Sequence, residues 1–249
     1  MSLQLDKVYV ITLDHSQENY DSIIERINRI GMPSGTPYEI VQAVNGREML
    51  SDYEDRIRLG VSFYDGWNIG GNSSWWSRPV TVGEAGLSLT KIRIYEDAHA
   101  KGYENILVLE DDFDPRVTLD WQIFDELENY DWDIIYLARI LQSVHNGVQD
   151  HRVGLQNFVQ PGFSYQTHAY LLSRNGLKKL VETNTEVLKR NLLPADEFLP
   201  ATFAWHPRAD LRSMFQRNMQ ALALNYNAIG QFRNETAGDS LTSPIEGID

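Results

Sequence analysis

Residues 105–112 read NILVLEDD, an uninterrupted apolar run that ends on three acids, Glu110, Asp111 and Asp112. A short run with no polar alternation predicts a central parallel strand covered on both faces. In open parallel sheets ligands bind beyond the carboxyl ends of the strands, so the acids stand where a site is expected. Three neighbouring carboxylates repel one another, and keeping them ionised requires a cation or water. If the strand stays extended to its end, Glu110 and Asp112 lie on one side and Asp111 on the other. Hard oxygen ligands suit Mg²⁺ or Mn²⁺, ions that leave coordination positions for phosphate oxygens. A surface turn or helix cap built from acids would have the same composition.

Working outward, Lys7 to Leu13 (KVYVITL) predicts a buried first strand, and Asp14-His15-Ser16 turns into a helix with Ile23, Ile24, Ile27 and Ile30 on its apolar side and Gly31 at its end. Tyr38 to Val44 alternates as a second strand and stops at Asn45-Gly46. Strand, helix and strand in this order begin a mainly parallel α/β sheet flanked by helices, a Rossmann-like nucleotide-binding half. A helix from Gly83 to Lys101 with Gly102 as its cap precedes the acidic strand. Further strands are expected at Asp133 to Ala138, Ala169 to Leu172 and Leu222 to Tyr226. Arg174-Asn175-Gly176 opens a helix, and Pro194 to Phe203 reads as a turn and a short helix. Residues 60–79 mix Gly, Ser and Asn with Trp67, Trp75 and Trp76, which either plug the core or line a lid over a ligand. No repeat or linker divides the chain, so a single domain over 1–238 and a flexible tail over 239–249 are expected.

Composition narrows the function. Hydrophobic residues make up 42% of the 249, enough for a core, and the net charge is −13. No basic stripe for nucleic acid is present. A phosphate-bearing ligand would need a metal ion or a few placed cations. The absence of cysteine excludes thiolate catalysis and cysteine zinc sites. Neither a signal peptide nor a transmembrane run is apparent, so a cytoplasmic enzyme is the expectation. One competing chemistry is aspartyl-phosphate hydrolysis at Asp112-Phe113-Asp114, but that motif expects Thr or Val where Arg116 stands.

Several ordered segments resemble family 25 of the glycosyltransferases, the lipooligosaccharide and procollagen galactosyltransferases. They are VYVITLDHSQENYDSIIERI, VQAVNGRE, RPVTVGEAGLSLTKIRIYEDA, LVLEDD, WDIIYLAR, HAYLLSRNGLKKL and LPADEFLPATF, spanning roughly residues 7 to 243. The last is similar to the "lPvDEFLP" of the procollagen branch, to which the likeness is closest. The resemblance implies a GT-A-type fold and inverting transfer of galactose or glucose from UDP-galactose or UDP-glucose, with Mn²⁺ (or Mg²⁺) as cofactor. The implied acceptor is a hydroxyl on a glycan, a lipooligosaccharide or a hydroxylated, collagen-like protein.

By position, the resemblance puts Glu110 and Asp112 at the metal and diphosphate, with Asp111 beside them, and Thr12, Leu13, Asp14, Asn45 and Gly46 around the uridine. Glu84 and Gly86 fall on the helix facing the donor. Asp196 and Glu197 lie on the acceptor side, with Asp196 the first candidate for general base and Glu197 the second. A plain N-cap after Pro194 is the alternative for that pair. The departures bear on activity. The family's Ser-His pair is Thr90-Lys91, whose ammonium can meet a phosphate but cannot act as a neutral imidazole ligand. Ala138-Arg139 replaces Gly-Arg, and NYNAIGQ (225–231) lacks the procollagen branch's His, leaving Gln231, Asn227 or water to complete a metal site. Asp239-Ser240 resembles a family element that folds over the diphosphate. His15, His168 and His206 read mainly as structural. A catalytically silent relative that binds nucleotide-sugar or glycan is the alternative function.

Overall fold

The computed structural model describes residues 3–68, 79–141 and 149–231. Strand β1 (Lys7–Thr12) leads through α1 (Gln17–Ile30) to β2 (Tyr38–Gln42), which lies parallel beside it. Two short helices, α2 (Gly46–Met49) and α3 (Tyr53–Leu59), precede the long α4 (Val82–Lys101), which delivers the chain to β3 (Asn105–Glu110), parallel to β1 on its other side. After β4 (Phe113–Pro115) come β5 (Ile134–Tyr136), β6 (Ile140–Leu141), β7 (His151–Arg152), β8 (Phe158–Gln160) and β9 (Ser164–Tyr165). Strand β10 (Ala169–Ser173) then inserts between β3 and β5, antiparallel to both. Helices α5 (Arg174–Lys179), α6 (Thr185–Arg190), α7 (Ala195–Ala201) and α8 (Ala209–Met214) follow, then β11 (Ala221–Leu224), parallel to β5, and β12 (Ile229–Gln231), antiparallel to β4. The main sheet has eight strands in the order β2-β1-β3-β10-β5-β11-β8-β7.

The expected α/β architecture, a largely co-directional sheet flanked by helices, is the one the chain forms. Strand β3 shows why: Ile106, Leu107, Val108 and Leu109 are all fully buried. Ile106 and Val108 join a core with residues of α4, α5 and α7, while Leu107 and Leu109 join another with Ile23, Ile27 and Ile30 of α1. A strand packed on both sides has no polar alternation to show, as the sequence reading assumed. The direction of β10 carried no such signal. Several strands are shorter than expected: the second stops at Gln42, the one from Asp133 covers only Ile134–Tyr136, and the last ends at Leu224. Trp67 is fully buried in the core. Trp75, Trp76 and the tail with Asp239-Ser240 lie outside the described residues.

Helix α4 is the element that aims the site. Thr81 and Glu84 close a reciprocal capping box at its start, and Gly102, in a left-handed conformation (φ 68°), ends it. Its docking depends on two glycines. A Cβ on Gly46 would stand 1.7 Å from the Val82 carbonyl oxygen, and one on Gly86 would stand 2.4 Å from that of Val44. Thr90 completes the seam, accepting from the Val44 N–H (2.8 Å) and donating to the Gly86 carbonyl (2.8 Å). Because the clash at Gly46 is with backbone, Gly46→Ala should lose about 3 kcal/mol, the upper end of overpacking costs. Equilibrium urea unfolding measures it; a midpoint equal to wild type would refute the close-packing account.

Candidate active site

Strand β3 ends at Glu110, and residues 111–112 turn. The turn stops the strand alternation, so the three acids do not divide into two sides as an extended end would have them. Each instead meets a different element: Glu110 meets Lys91 of α4, Asp111 meets Thr12 of β1, and Asp112 meets Gln231 of β12. The turn thereby separates charges that an extended chain would stack on one face.

Lys91 is 2% exposed and its ammonium is fully used. It donates to Glu110 Oε1 at 2.6 Å, to the Thr167 carbonyl at 2.8 Å and to Thr167 Oγ1 at 2.6 Å. Three N–H groups meet three acceptors. Burial by itself would raise the Glu110 pKa, but the charge and hydrogen bond of Lys91 hold it below the usual carboxylate range. Thr167 passes the contact on, donating its hydroxyl proton to Asp196 Oδ1 at 2.8 Å. Asp196 therefore joins the β3 acids across the sheet end. Its pKa is pushed up to about 6, first by burial and then by the Glu110 charge.

Asp112 is in the reverse situation. Gln231 Nε2 donates to its Oδ2 at 3.0 Å, while its buried Oδ1 has no hydrogen-bond partner among the described residues. Burial, then the charges of Glu110 and Asp111, push its pKa up to about 8. Gln231 is held in turn by Gln166, whose Nε2 donates to Gln231 Oε1 at 2.9 Å. Gln166 itself has a positive φ of 71°, uncommon for a residue with a side chain. Asp111 is raised mainly by burial, against the hydrogen bond from Thr12 and the charge of Arg26.

The other sequence candidates divide by role. Thr12 is buried and lies with Asn19, which donates to its Oγ1 at 3.0 Å; Leu13 is exposed, and Asp14 Oδ1 accepts from the Ser16 N–H at 2.8 Å at the head of α1. Asn45 caps α2, Glu84 caps α4, and Gly46 and Gly86 form the helix seam. Helix α7 starts at Pro194 without a side-chain cap, so Asp196 is not spent on capping. Glu197 is fully buried with its Oε2 2.8 Å from His206 Nε2. His206 Nδ1 accepts from the Arg208 N–H (3.1 Å), so Nε2 carries the proton and donates to Glu197. Glu197 is thus committed to the link between α7 and α8.

Three participants were not singled out from the sequence: Thr167, Gln166 and Arg26. The first two just precede β10 and reach the acids only because that strand runs antiparallel to β3. Arg26 did leave a signal. It falls among Ile23, Ile27 and Ile30 on the apolar side of α1, an odd position for a charge, and is buried with its guanidinium 5.0 Å from the Phe113 ring centre. Burial lowers its pKa, against the charges of Asp111, Asp112 and Asp114. His168, also buried, is pushed down to about 4 by burial and so is neutral near pH 7.

The suitability of this cluster for a divalent ion rests on its free oxygens. Among the described residues no three His, Asp or Glu side chains form a ready cage. Glu110 Oε1 carries the Lys91 ammonium and Gln231 Oε1 is turned to Gln166. Asp112 Oδ1 has no partner among the described residues. A single carboxylate oxygen fits an ion that is held chiefly by substrate phosphates and water.

An acid cluster beyond the carboxyl end of a central strand, beside the first β-α turn, marks an α/β domain with a candidate site where open α/β sheets bind ligands. The profile described as "Glycosyltransferase family 25 (LPS biosynthesis protein)" matches residues 5–199. A glycosyltransferase 25 family member of Aedes aegypti is 34% identical over 223 residues, covering 86% of this chain and 34% of its own. Procollagen galactosyltransferase 1-B of Xenopus laevis is 30% identical over 228 residues, with coverages of 89% and 35%. Inactive glycosyltransferase 25 family member 3 of Homo sapiens is 33% identical over 215 residues, with coverages of 84% and 34%. The chain belongs to glycosyltransferase family 25. It spans about a third of the length of these curated relatives.

The raised Asp112 pKa has a consequence for stability. Between its ordinary value of 3.8 and its folded value of about 8, the folded state binds more protons at this group than the unfolded state. Stability contributed here is therefore lost as pH rises through that window. Asp112→Asn removes the titration, so without metal its urea midpoint should gain on wild type between pH 5 and pH 8. A difference independent of pH would contradict the assignment.

Proposed function

We propose that the chain is an inverting hexosyltransferase that moves galactose or glucose from a UDP-sugar to a hydroxyl acceptor. The observation that carries this reading is the tie between Asp196 and the end of β3, where Asp112 keeps an oxygen without a partner among the described residues. On this reading one carboxylate serves proton transfer and the other the cation end of a diphosphate, at the sheet end where open α/β folds bind ligands. The relatives named procollagen galactosyltransferase support a hexose donor. They favour a collagen-like hydroxylysine or a related glycan hydroxyl as acceptor, while the family description, naming LPS biosynthesis, favours a lipopolysaccharide glycan.

In this mechanism Asp196 takes the proton of the acceptor hydroxyl as that oxygen bonds to C1 of the hexose from the face opposite the leaving group. The bond between C1 and the diphosphate oxygen breaks, and its electron pair leaves on UDP. Asp112 would hold Mn²⁺ or Mg²⁺ together with the donor phosphates, and such an ion supplies Lewis-acid stabilisation of the leaving charge. Lys91 has no N–H left for a phosphate. Thr12, at the end of β1, and Asp14, in the turn into α1, remain the candidates for contact with the uridine. Cytoplasmic action is part of the proposal, as an expectation from sequence.

A second reading, a silent nucleotide-sugar or glycan-binding relative, is favoured by the ammonium on Glu110 and by the similar proteins named inactive. Thermal shift with UDP, GDP and CMP, each with and without Mn²⁺, followed by turnover of UDP-galactose and UDP-glucose, separates the two. The proposal expects stabilisation by UDP only with Mn²⁺, and transfer. Binding without turnover would establish the silent reading. Asp196→Asn should keep UDP binding and lose transfer by about 10²-fold or more, the usual worth of a general base. Because the base must be ionised, kcat/KM should rise with pH through about 6 and level off above it. Normal turnover by Asp196→Asn would remove Asp196 from the mechanism.

A further inference from the structure

We propose that Lys91 and Thr167 form an internal strut that positions Asp196 for catalysis, a role distinct from binding substrate. The inference rests on the hexosyltransferase reading and names two positioning residues for it.

The case begins with a long side chain in an unusual place. Lys91 is 2% exposed, one of a run of buried residues of α4 with Thr90, Ile92, Ile94 and Tyr95. Its ammonium lies 5.5 Å from the centre of the Tyr170 ring, beneath the sheet end. Desolvating an ammonium is costly unless every proton is taken up, and here all three are. Two of the three go to one residue, Thr167, gripping both its carbonyl and its hydroxyl. That grip fixes the rotation of the hydroxyl, because Oγ1 must turn its lone pair to Lys91 and its single proton elsewhere. The proton goes to Asp196 Oδ1 at 2.8 Å, while Glu110 Oε1, at 3.4 Å, is the more distant acceptor.

The result is a rigid chain from β3 through α4 and the approach to β10 to α7: Glu110, Lys91, Thr167, Asp196. Asp196 belongs to a seven-residue helix that starts without a side-chain cap, so its own element does little to orient it. The strut supplies that orientation from outside. It also accounts for Lys91 without a donor phosphate, since the ammonium is enclosed and saturated. A general base must stand within about 3 Å of the proton it takes, so losing the hydroxyl that aims it should slow chemistry more than binding.

Thr167→Val and Thr167→Ser test this on the intact chain. Valine keeps the branched shape and removes the hydroxyl; serine keeps the hydroxyl. Thr167→Val should lower kcat about 10-fold or more with the KM for UDP-sugar and the UDP-plus-Mn²⁺ thermal shift unchanged, and Thr167→Ser should restore most of kcat. Lys91→Met, which leaves the hydroxyl unheld, should lower kcat in the same way wherever it folds. A wild-type kcat in Thr167→Val, or serine and valine variants equally slow, would overturn the strut while leaving Asp196 in place. A wild-type protein with no transfer would overturn the functional reading and the strut with it.

Discussion

The constraint on which this site depends is the repulsion of three consecutive carboxylates at the end of a buried strand. Strand β3 is covered on both faces, so its end emerges where solvent is scarce. Each acid there must find a partner or take up a proton. The turn at residues 111–112 resolves the conflict by sending the three in different directions. Lys91 neutralises Glu110, Thr12 and the field of Arg26 support Asp111, and Asp112 is left with one amide contact and a strongly raised pKa.

This distribution gives the cluster its chemical asymmetry. Glu110 is occupied by an internal cation and serves as an anchor. Asp112 is the frustrated member, holding an oxygen that no group among the described residues satisfies. A buried acceptor without a partner is costly, and a site that binds a cation with its substrate is a setting in which such a cost is recovered on binding. Asp196, raised less, is suited to proton transfer near neutral pH.

The supporting framework is correspondingly tight. Gly46, Gly86 and Thr90 let α4 approach the loop after β2 at backbone contact, which places Lys91 under the sheet end. Residues that resemble ligand contacts on a motif reading, among them Asn45, Glu84 and Gly86, are spent on caps and on this seam. The Glu197–His206 pair ties α7 to α8 in a comparable way. Thr90-Lys91, which stands where the family resemblance expects Ser-His, is engaged structurally: Thr90 in the helix seam and Lys91 on Glu110 and Thr167.

The sequence by itself determined the class of fold and the family. An apolar run ending in acids, a strand-helix-strand opening, and Gly102 after a helical stretch are local signals, each fixed by backbone propensity and burial. The ordered motifs carried the family. Only the tertiary structure decided which acids act together. Thr167 and Gln166 enter because β10 runs antiparallel to β3, and strand direction is a property of long-range pairing that no local pattern encodes. Lys91 read as a candidate phosphate contact; the depth of α4 against the sheet made it an internal ion pair. Asp196 and Glu197 are neighbours in sequence, yet the helical turn separates them, one toward Thr167 and the other toward His206, because successive side chains on a helix point in different directions.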